Sequence, residues 1–193
     1  MRIVKDPDER KQEILNAAVR VFARKGYEKT SIADIAKEIG ISQGLCYRYY
    51  ASKEEMYDAA IDKYASYIVS RNIHGTKTQN LTLKEQILQM SGRMEEYVSA
   101  EQGQRELYDL FHKRENHKMH DALCLRICEM LVPYLAGRLE EAVQRGETAL
   151  EDPMASAYFF VYGQMGILMS GRYSEEEKTH KIQKCLFEML GIE

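Results

Sequence analysis

Along almost the whole chain apolar residues return at intervals of three and four, and no segment sustains the alternation of a half-buried strand. That spacing confines the fold to the all-α class. Only three prolines and twelve glycines interrupt 193 residues, so long helices are permitted. Leu15, Ala18, Val19 and Phe22 fall at i, i+3, i+4 and i+7 and predict a first helix over about residues 8–24, ended by Gly26. Ile32, Ile35, Ala36 and Ile39 repeat the pattern in a second helix, with Ser31 and Asp34 as a capping box at its start and Gly40 suited to the left-handed position after its end. Ser42 caps a very short third helix reaching about Tyr49. A fourth runs from Ser52, boxed by Glu55, to about Asn72.

The polar stretch His74 to Leu81 marks a boundary. Beyond it helices are expected near 82–101, starting at the Thr82/Glu85 box, near 104–114, and near 117–145, the last ending at Gly146 and kinked at Pro133. Asp152 with Pro153 opens a helix to about Ser170, and Ser174 with Glu177 opens a last one to about Leu190. The count is nine helices: an N-terminal three-helix helix-turn-helix domain, residues 1–53, and a C-terminal helical domain, residues 54–193, joined by the helix of about 52–72.

Charge divides at the same place. Residues 1–53 carry eleven basic and seven acidic side chains, whereas the rest carries sixteen and twenty-three. Such an asymmetry fits a polyanion-binding head on a body that does not bind polyanions, or arises by chance. No window approaches the roughly 18 apolar residues needed to cross a bilayer, and the N-terminus is too polar for a signal peptide, so a cytoplasmic protein without a membrane partner is expected. Cys46, Cys124, Cys128 and Cys185 form no CxxC pair and are expected as reduced thiols.

The segment Thr30 to Met56, TSIADIAKEIGISQGLCYRYYASKEEM, is the informative one. Two short helices joined by Gly40, Ile41 and Ser42 cannot bury themselves alone and must pack on the first helix. In the third helix Cys46 and Tyr50 face the core, which leaves Gln43, Gly44, Leu45, Tyr47, Arg48 and Tyr49 outward. Amide, guanidinium and phenol groups beside a glycine suit a DNA major groove, where Gln pairs with adenine and Arg with guanine. Free N–H groups near Thr30/Ser31 and Ser52/Lys53 would add phosphate sites. Taken on spacing alone, the segment reads either this way or as a tightly turned helical pair with solvated polar faces.

Residues 10–56 resemble the DNA-binding domain of the tetracycline-repressor (TetR) family of bacterial transcriptional regulators, from ILNAAVRVFARKGYEKTSIADIAKEIGIS through QGLCYRYY to SKEEM. The resemblance implies a nine-helix fold, a two-fold dimer bound to an inverted-repeat operator in double-stranded DNA, and a small-molecule effector whose binding releases the DNA. By position, Tyr47 and Lys53 match phosphate-contacting residues of the family, and Thr30 and Ser31 match its helix-two Thr pair. Gln43, Gly44, Arg48 and Tyr49, after the cap Ser42, match recognition-helix positions that contact bases or backbone. Leu45 stands where Thr or Ser is common, which exchanges a phosphate hydrogen bond for a thymine-methyl contact. Cys46 stands where a larger aliphatic is usual, and Tyr50 where Phe is usual.

In the body, residues 157–169 are apolar nearly all round, which calls for a partner on the side away from their own domain. Ala155, Gly163 and Gly166 permit close approach beside Tyr158, Phe159, Tyr162 and Met169. Ile182, Cys185, Leu186 and Met189 stripe the last helix. Together these resemble the family's dimerisation pair; the alternative is an internal helix of a monomer core. Met90, Met94, Tyr97, Tyr108, Phe111, Cys124, Cys128 and Tyr134 put soft and aromatic side chains on the middle helices, as an effector lining or simply as core. His112, Glu115, His117, His120, Asp121 and Cys124 are spaced to suggest a metal or a helical enzyme, against a polar helix junction with solvated histidines. No defined metal motif, catalytic motif or nucleotide fingerprint is matched, so neither metal nor cofactor is expected and the chain is read as no enzyme.

Overall fold

The computed structural model describes residues 6–74, 81–91, 105–113 and 116–192. Among them are nine helices and no strand: α1 Pro7–Lys25, α2 Ile32–Glu38, α3 Gln43–Tyr49, α4 Lys53–His74, α5 Leu83–Ser91, α6 Arg105–His112, α7 His117–Gln144, α8 Pro153–Leu168 and α9 Glu175–Leu190. The helical spacing read from the sequence accounts for each of them, and α7 continues as α-helix through Pro133.

Local chemistry sets the ends. Asp6 caps α1 by accepting from the N–H groups of Asp8 and Glu9, and Pro7 occupies the first helical position. Ser31 and Asp34 close a reciprocal box on α2, as do Ser174 and Glu177 on α9. Ser52 accepts from the Glu55 N–H at 3.0 Å, but the Glu55 carboxylate reaches back to the Ala51 N–H and not to that of Ser52. At the far end of α2, Gly40 takes φ +66° and the Ile41 N–H bonds the Ala36 carbonyl at 3.0 Å. That left-handed closure is one glycine adopts without a Cβ penalty, and it turns the chain into α3.

The chain forms two compact units whose division differs from the boundary expected at Lys53. One holds the described residues up to Ala65 together with those from Arg105 to Leu123; the other holds Ser66 to Ser91 and Cys124 to Ile192. The first unit extends past Lys53 because α6 packs on α1. Phe111 of α6 stacks on Tyr64 of α4 with ring centroids 5.2 Å apart, and Lys113 donates to the Ala23 carbonyl at the end of α1. Its buried side chains come from every helix, with Ile14, Val21, Phe22, Ile35, Cys46, Met56 and Leu110 fully enclosed. Arg24 and Arg20 pair with Glu38 at 2.6 and 3.5 Å and Lys25 with Asp34 at 2.5 Å, tying α1 to α2.

The second unit buries Leu83 and Ile87 of α5 against Cys128, Val132, Ala136 and Leu139 of α7, with Ala157, Phe160 and Val161 of α8 and Leu190 of α9 in the same core. The apolar face on the other side of α8 is open: Met154, Tyr158, Phe159, Tyr162 and Met169 are all exposed. No helix among the described residues is long and apolar enough to cross a membrane.

Candidate nucleic-acid interface

Seven residues make α3 a platform held from below. Ser42 caps it by accepting from the Leu45 N–H at 3.2 Å. Cys46 is fully buried and Tyr50, at the C-terminal cap, is 2% exposed. The Tyr50 hydroxyl donates to the Lys11 carbonyl of α1 at 3.4 Å, and the Lys11 ammonium lies 5.4 Å from its ring centre. Burial raises the Cys46 thiol pKa, which leaves a neutral core side chain there. With Cys46 and Tyr50 turned inward, Gln43, Gly44, Tyr47 and Arg48 are exposed, and Leu45 and Tyr49 are half-buried. Tyr47 presents half its surface to solvent.

Burial, with Glu55 nearby, pushes the Tyr50 phenol up to about 12 from 10.0. Below pH ~10 the phenol is protonated whether the chain is folded or not, and its contribution is complete. Between about 10 and 12 only the unfolded chain gives up the proton, so stability falls as pH rises. Denaturant unfolding across that window is expected to show a shallower alkaline loss for Tyr50→Phe than for the parent. Equal slopes would remove Tyr50 as the cause.

The head's basic surplus sorts into spent and available charge. Arg20, Arg24 and Lys25 are paired with the carboxylates of α2, and Glu38 and Asp34 are held below their ordinary pKa values chiefly by hydrogen bonds from Arg24 and Lys25. Lys29, Lys37 and Arg48 make no ion pair among the described residues. The Lys53 ammonium donates to the Tyr27 carbonyl at 2.9 Å and lies 4.2 Å from the centre of the Tyr27 ring.

The expected free N–H groups at Thr30 and Ser31 need correcting. Thr30 is 3% exposed, its hydroxyl donates to the Gly26 carbonyl at 2.7 Å and its N–H to the Tyr27 carbonyl at 3.2 Å. The Ser31 N–H and hydroxyl both donate to the Asp34 carboxylate, at 3.0 and 2.8 Å. These bonds spend the donors of Thr30 and Ser31 themselves, while the first-turn N–H groups of Ile32 and Ala33 find no acceptor among the described residues. At α4 the first-turn N–H groups of Lys53 and Glu54 stay uncapped, since the Ser52 hydroxyl serves Glu55. Tyr27, which sequence reading passed over, is the residue that seats Lys53; it lies between helices, outside any apolar period that could have singled it out.

The body residues divide. Of those expected at a dimer interface, Ala155, Tyr158, Phe159, Tyr162, Gly163, Gly166, Met169, Cys185 and Met189 are exposed in the single chain. Ile182 is 5% exposed and Leu186 packs half-buried on the second unit's core, so both support α9 from within. Of the expected effector lining, Phe111 is core in the first unit and Cys128 core in the second, with Tyr108 stacked on the His112 ring at 4.1 Å. Cys124 is buried and Tyr134 half-buried. Met94 and Tyr97 lie outside the described residues, as does the side chain of Met90. Glu115 also lies outside them. Among the described residues no three His, Cys, Asp or Glu side chains converge to hold a metal: His112 engages the Tyr108 carbonyl through Nδ1, and His120 meets the His112 ring edge-on.

Residues 14–60 match the family model of the bacterial regulatory proteins of the tetR family. Over 182 residues, 89% of this chain and 84% of its relative, the chain is 28% identical to the uncharacterized HTH-type transcriptional regulator YfiR of Bacillus subtilis (strain 168). It is 36% identical over 85 residues to the nucleoid occlusion factor SlmA of Mannheimia succiniciproducens, covering 42% of this chain and 39% of that one. The fold is similar to that of a TetR-like transcriptional regulator from Rhodococcus sp. RHA1, with a TM-score of 0.56 at 19% identity over 97% of this chain and 99% of the other.

Proposed function

Because this chain is a DNA-binding transcriptional regulator of the TetR family and not an enzyme, we propose that it is a dimeric cytoplasmic repressor that grips an inverted-repeat operator and releases it on binding a small molecule. The outward face of α3 carries the proposal. Gln43, Gly44, Tyr47 and Arg48 stand exposed over the buried Cys46, in a unit where Lys29 and Lys37 make no ion pair among the described residues. In the major groove Gln43 and Arg48 read base edges, Gly44 lets the backbone come close, and Leu45 meets a thymine methyl. Ser42, Tyr47, Tyr49 and Lys53 address the phosphates on either side. Thr30 and Ser31 stabilise the corner that presents α2, with the Ser31 oxygen at the phosphate boundary. Two heads related by a two-fold axis would bind half-sites about one DNA turn, ~34 Å, apart. The exposed apolar face of α8, with Cys185 and Met189 of α9, supports the dimer. The body's acidic excess suits a neutral or cationic effector held by the soft side chains of the middle helices.

A mobility-shift titration with DNA from upstream of the protein's own gene tests this reading. The expected result is binding to an inverted repeat with an affinity that falls steeply as salt rises. Absence of salt-sensitive binding to any inverted repeat would overturn it.

A further inference from the structure

A lysine on a protein surface spreads over many rotamers, and fixing it in one opposes every contact it makes. Lys53 does not have that freedom. Its ammonium is drawn to the Tyr27 carbonyl at 2.9 Å and rests 4.2 Å from the ring centre of the same residue. The ring is itself held, with Phe22 at 5.5 Å and Tyr57 at 4.7 Å between centroids. Those neighbours come from α1 and α4, so the seat is built before any DNA arrives.

The chemistry of the seat leaves the charge intact. A carbonyl and an aromatic face attract a cation without neutralising it, whereas Arg24 and Lys25 nearby are matched by Glu38 and Asp34. Of the three N–H bonds of the ammonium one is taken by the carbonyl, and the others remain for an outside acceptor. The phenol stays protonated: burial first, then Glu54, Glu28 and Asp58, raise its pKa.

We infer that Tyr27 is a positioning residue for operator binding, presenting the Lys53 ammonium to a DNA phosphate through its ring face and its carbonyl. The inference rests on the proposed phosphate contact of Lys53. It requires that the ring act through Lys53 and not only as packing.

The test uses the full-length protein and operator DNA, with dissociation constants measured across a salt series for the parent, Tyr27→Phe, Tyr27→Leu, Lys53→Met and the double variant Tyr27→Leu/Lys53→Met. Lys53→Met is expected to weaken binding about tenfold and to lower the log–log salt slope by about one, the share of a single phosphate contact. Tyr27→Phe should match the parent, because it keeps the ring. Tyr27→Leu should move both quantities toward Lys53→Met, and adding Lys53→Met to it should cost no more than about twofold, since the two residues act as one unit. A full tenfold loss in both backgrounds would overturn the inference.

If Tyr27→Leu does not fold, pentafluorophenylalanine at position 27 keeps the stacking shape while reversing the charge distribution of the ring face. Weaker, flatter binding than Tyr27→Phe supports the seat, and identical binding by the two overturns it. A parent protein that bound no DNA would overturn both the operator reading and this one; parent binding with no difference between the two rings would overturn this one alone.

Discussion

Phe159→Glu is expected to make the protein monomeric and to weaken operator binding by more than about 100-fold. Only Ala157, Phe160 and Val161 of α8 are buried in their own unit. Around the opposite side Phe159 is 65% exposed, Tyr158 53% and Met169 47%, and the Tyr158 and Tyr162 rings stack along the helix with centroids 6.3 Å apart. A continuous apolar face of this kind is more than a monomer ordinarily shows to water, and a second copy of the same face is the complement that a two-fold axis supplies. In such an interface each substitution occurs twice. Two carboxylates would enter an apolar contact, and each left there without a counter-charge costs several kcal/mol. The fold of the single chain should survive, because Phe159 contributes little to its own core. Operator affinity falls because two linked heads gain on the order of 10²–10⁴ over one through effective concentration. Light scattering on the purified variant, circular dichroism and a mobility shift check the three parts of the expectation. A folded variant that remains dimeric would place the interface on another surface.

Periodicity made α1 to α9 legible because helix boundaries here are set by local groups that a sequence displays: Asp6 and Pro7, Ser31 and Asp34, Gly40, Asp152 and Pro153, Ser174 and Glu177. The outward side of α3 was legible in part for the same reason, since burying Cys46 and Tyr50 turns Gln43, Gly44, Tyr47 and Arg48 to solvent and leaves Leu45 and Tyr49 half-buried. What periodicity does not distinguish is one buried side from another. On α9 the apolar stripe at 182, 185, 186 and 189 splits: Ile182, Leu186 and Leu190, spaced by four, turn to the core, and Cys185 and Met189 turn out. Both sides are apolar, and only the packing of α9 on α5 and α8 tells them apart. Phe111 and Cys128 are a second case, as a soft residue lining a cavity and one filling a core have the same spacing. Tyr27 and Thr30 lie in a turn: Lys53 reaches Tyr27 only through three-dimensional closure, and Thr30 bonds Gly26 within the turn itself, outside any apolar repeat.

Arg48→Ala should cost about 1–3 kcal/mol of operator affinity and erase the preference at one base pair, if the guanidinium pairs bidentately with a guanine. Three features make Arg48 the residue to test. It lies in the last turn of α3, it is exposed, and it has no carboxylate partner among the described residues, so its donors are unspent. The platform beneath it is anchored by Cys46 and Tyr50 and does not depend on it. Alanine is also a better helix former, so the variant should fold with unchanged or slightly higher stability. The measurement is binding to a panel of operators, each with one base pair replaced. For the parent, one position should show a discrimination of about 5- to 150-fold that disappears in Arg48→Ala, while preferences elsewhere persist. Lys53→Met gives the contrasting pattern, a uniform loss across the panel with a flatter salt dependence, because a phosphate looks the same under every base. If Arg48→Ala instead weakens every operator alike, its guanidinium lies on the backbone, and the base-reading role passes to Gln43 at the opposite end of the same exposed face.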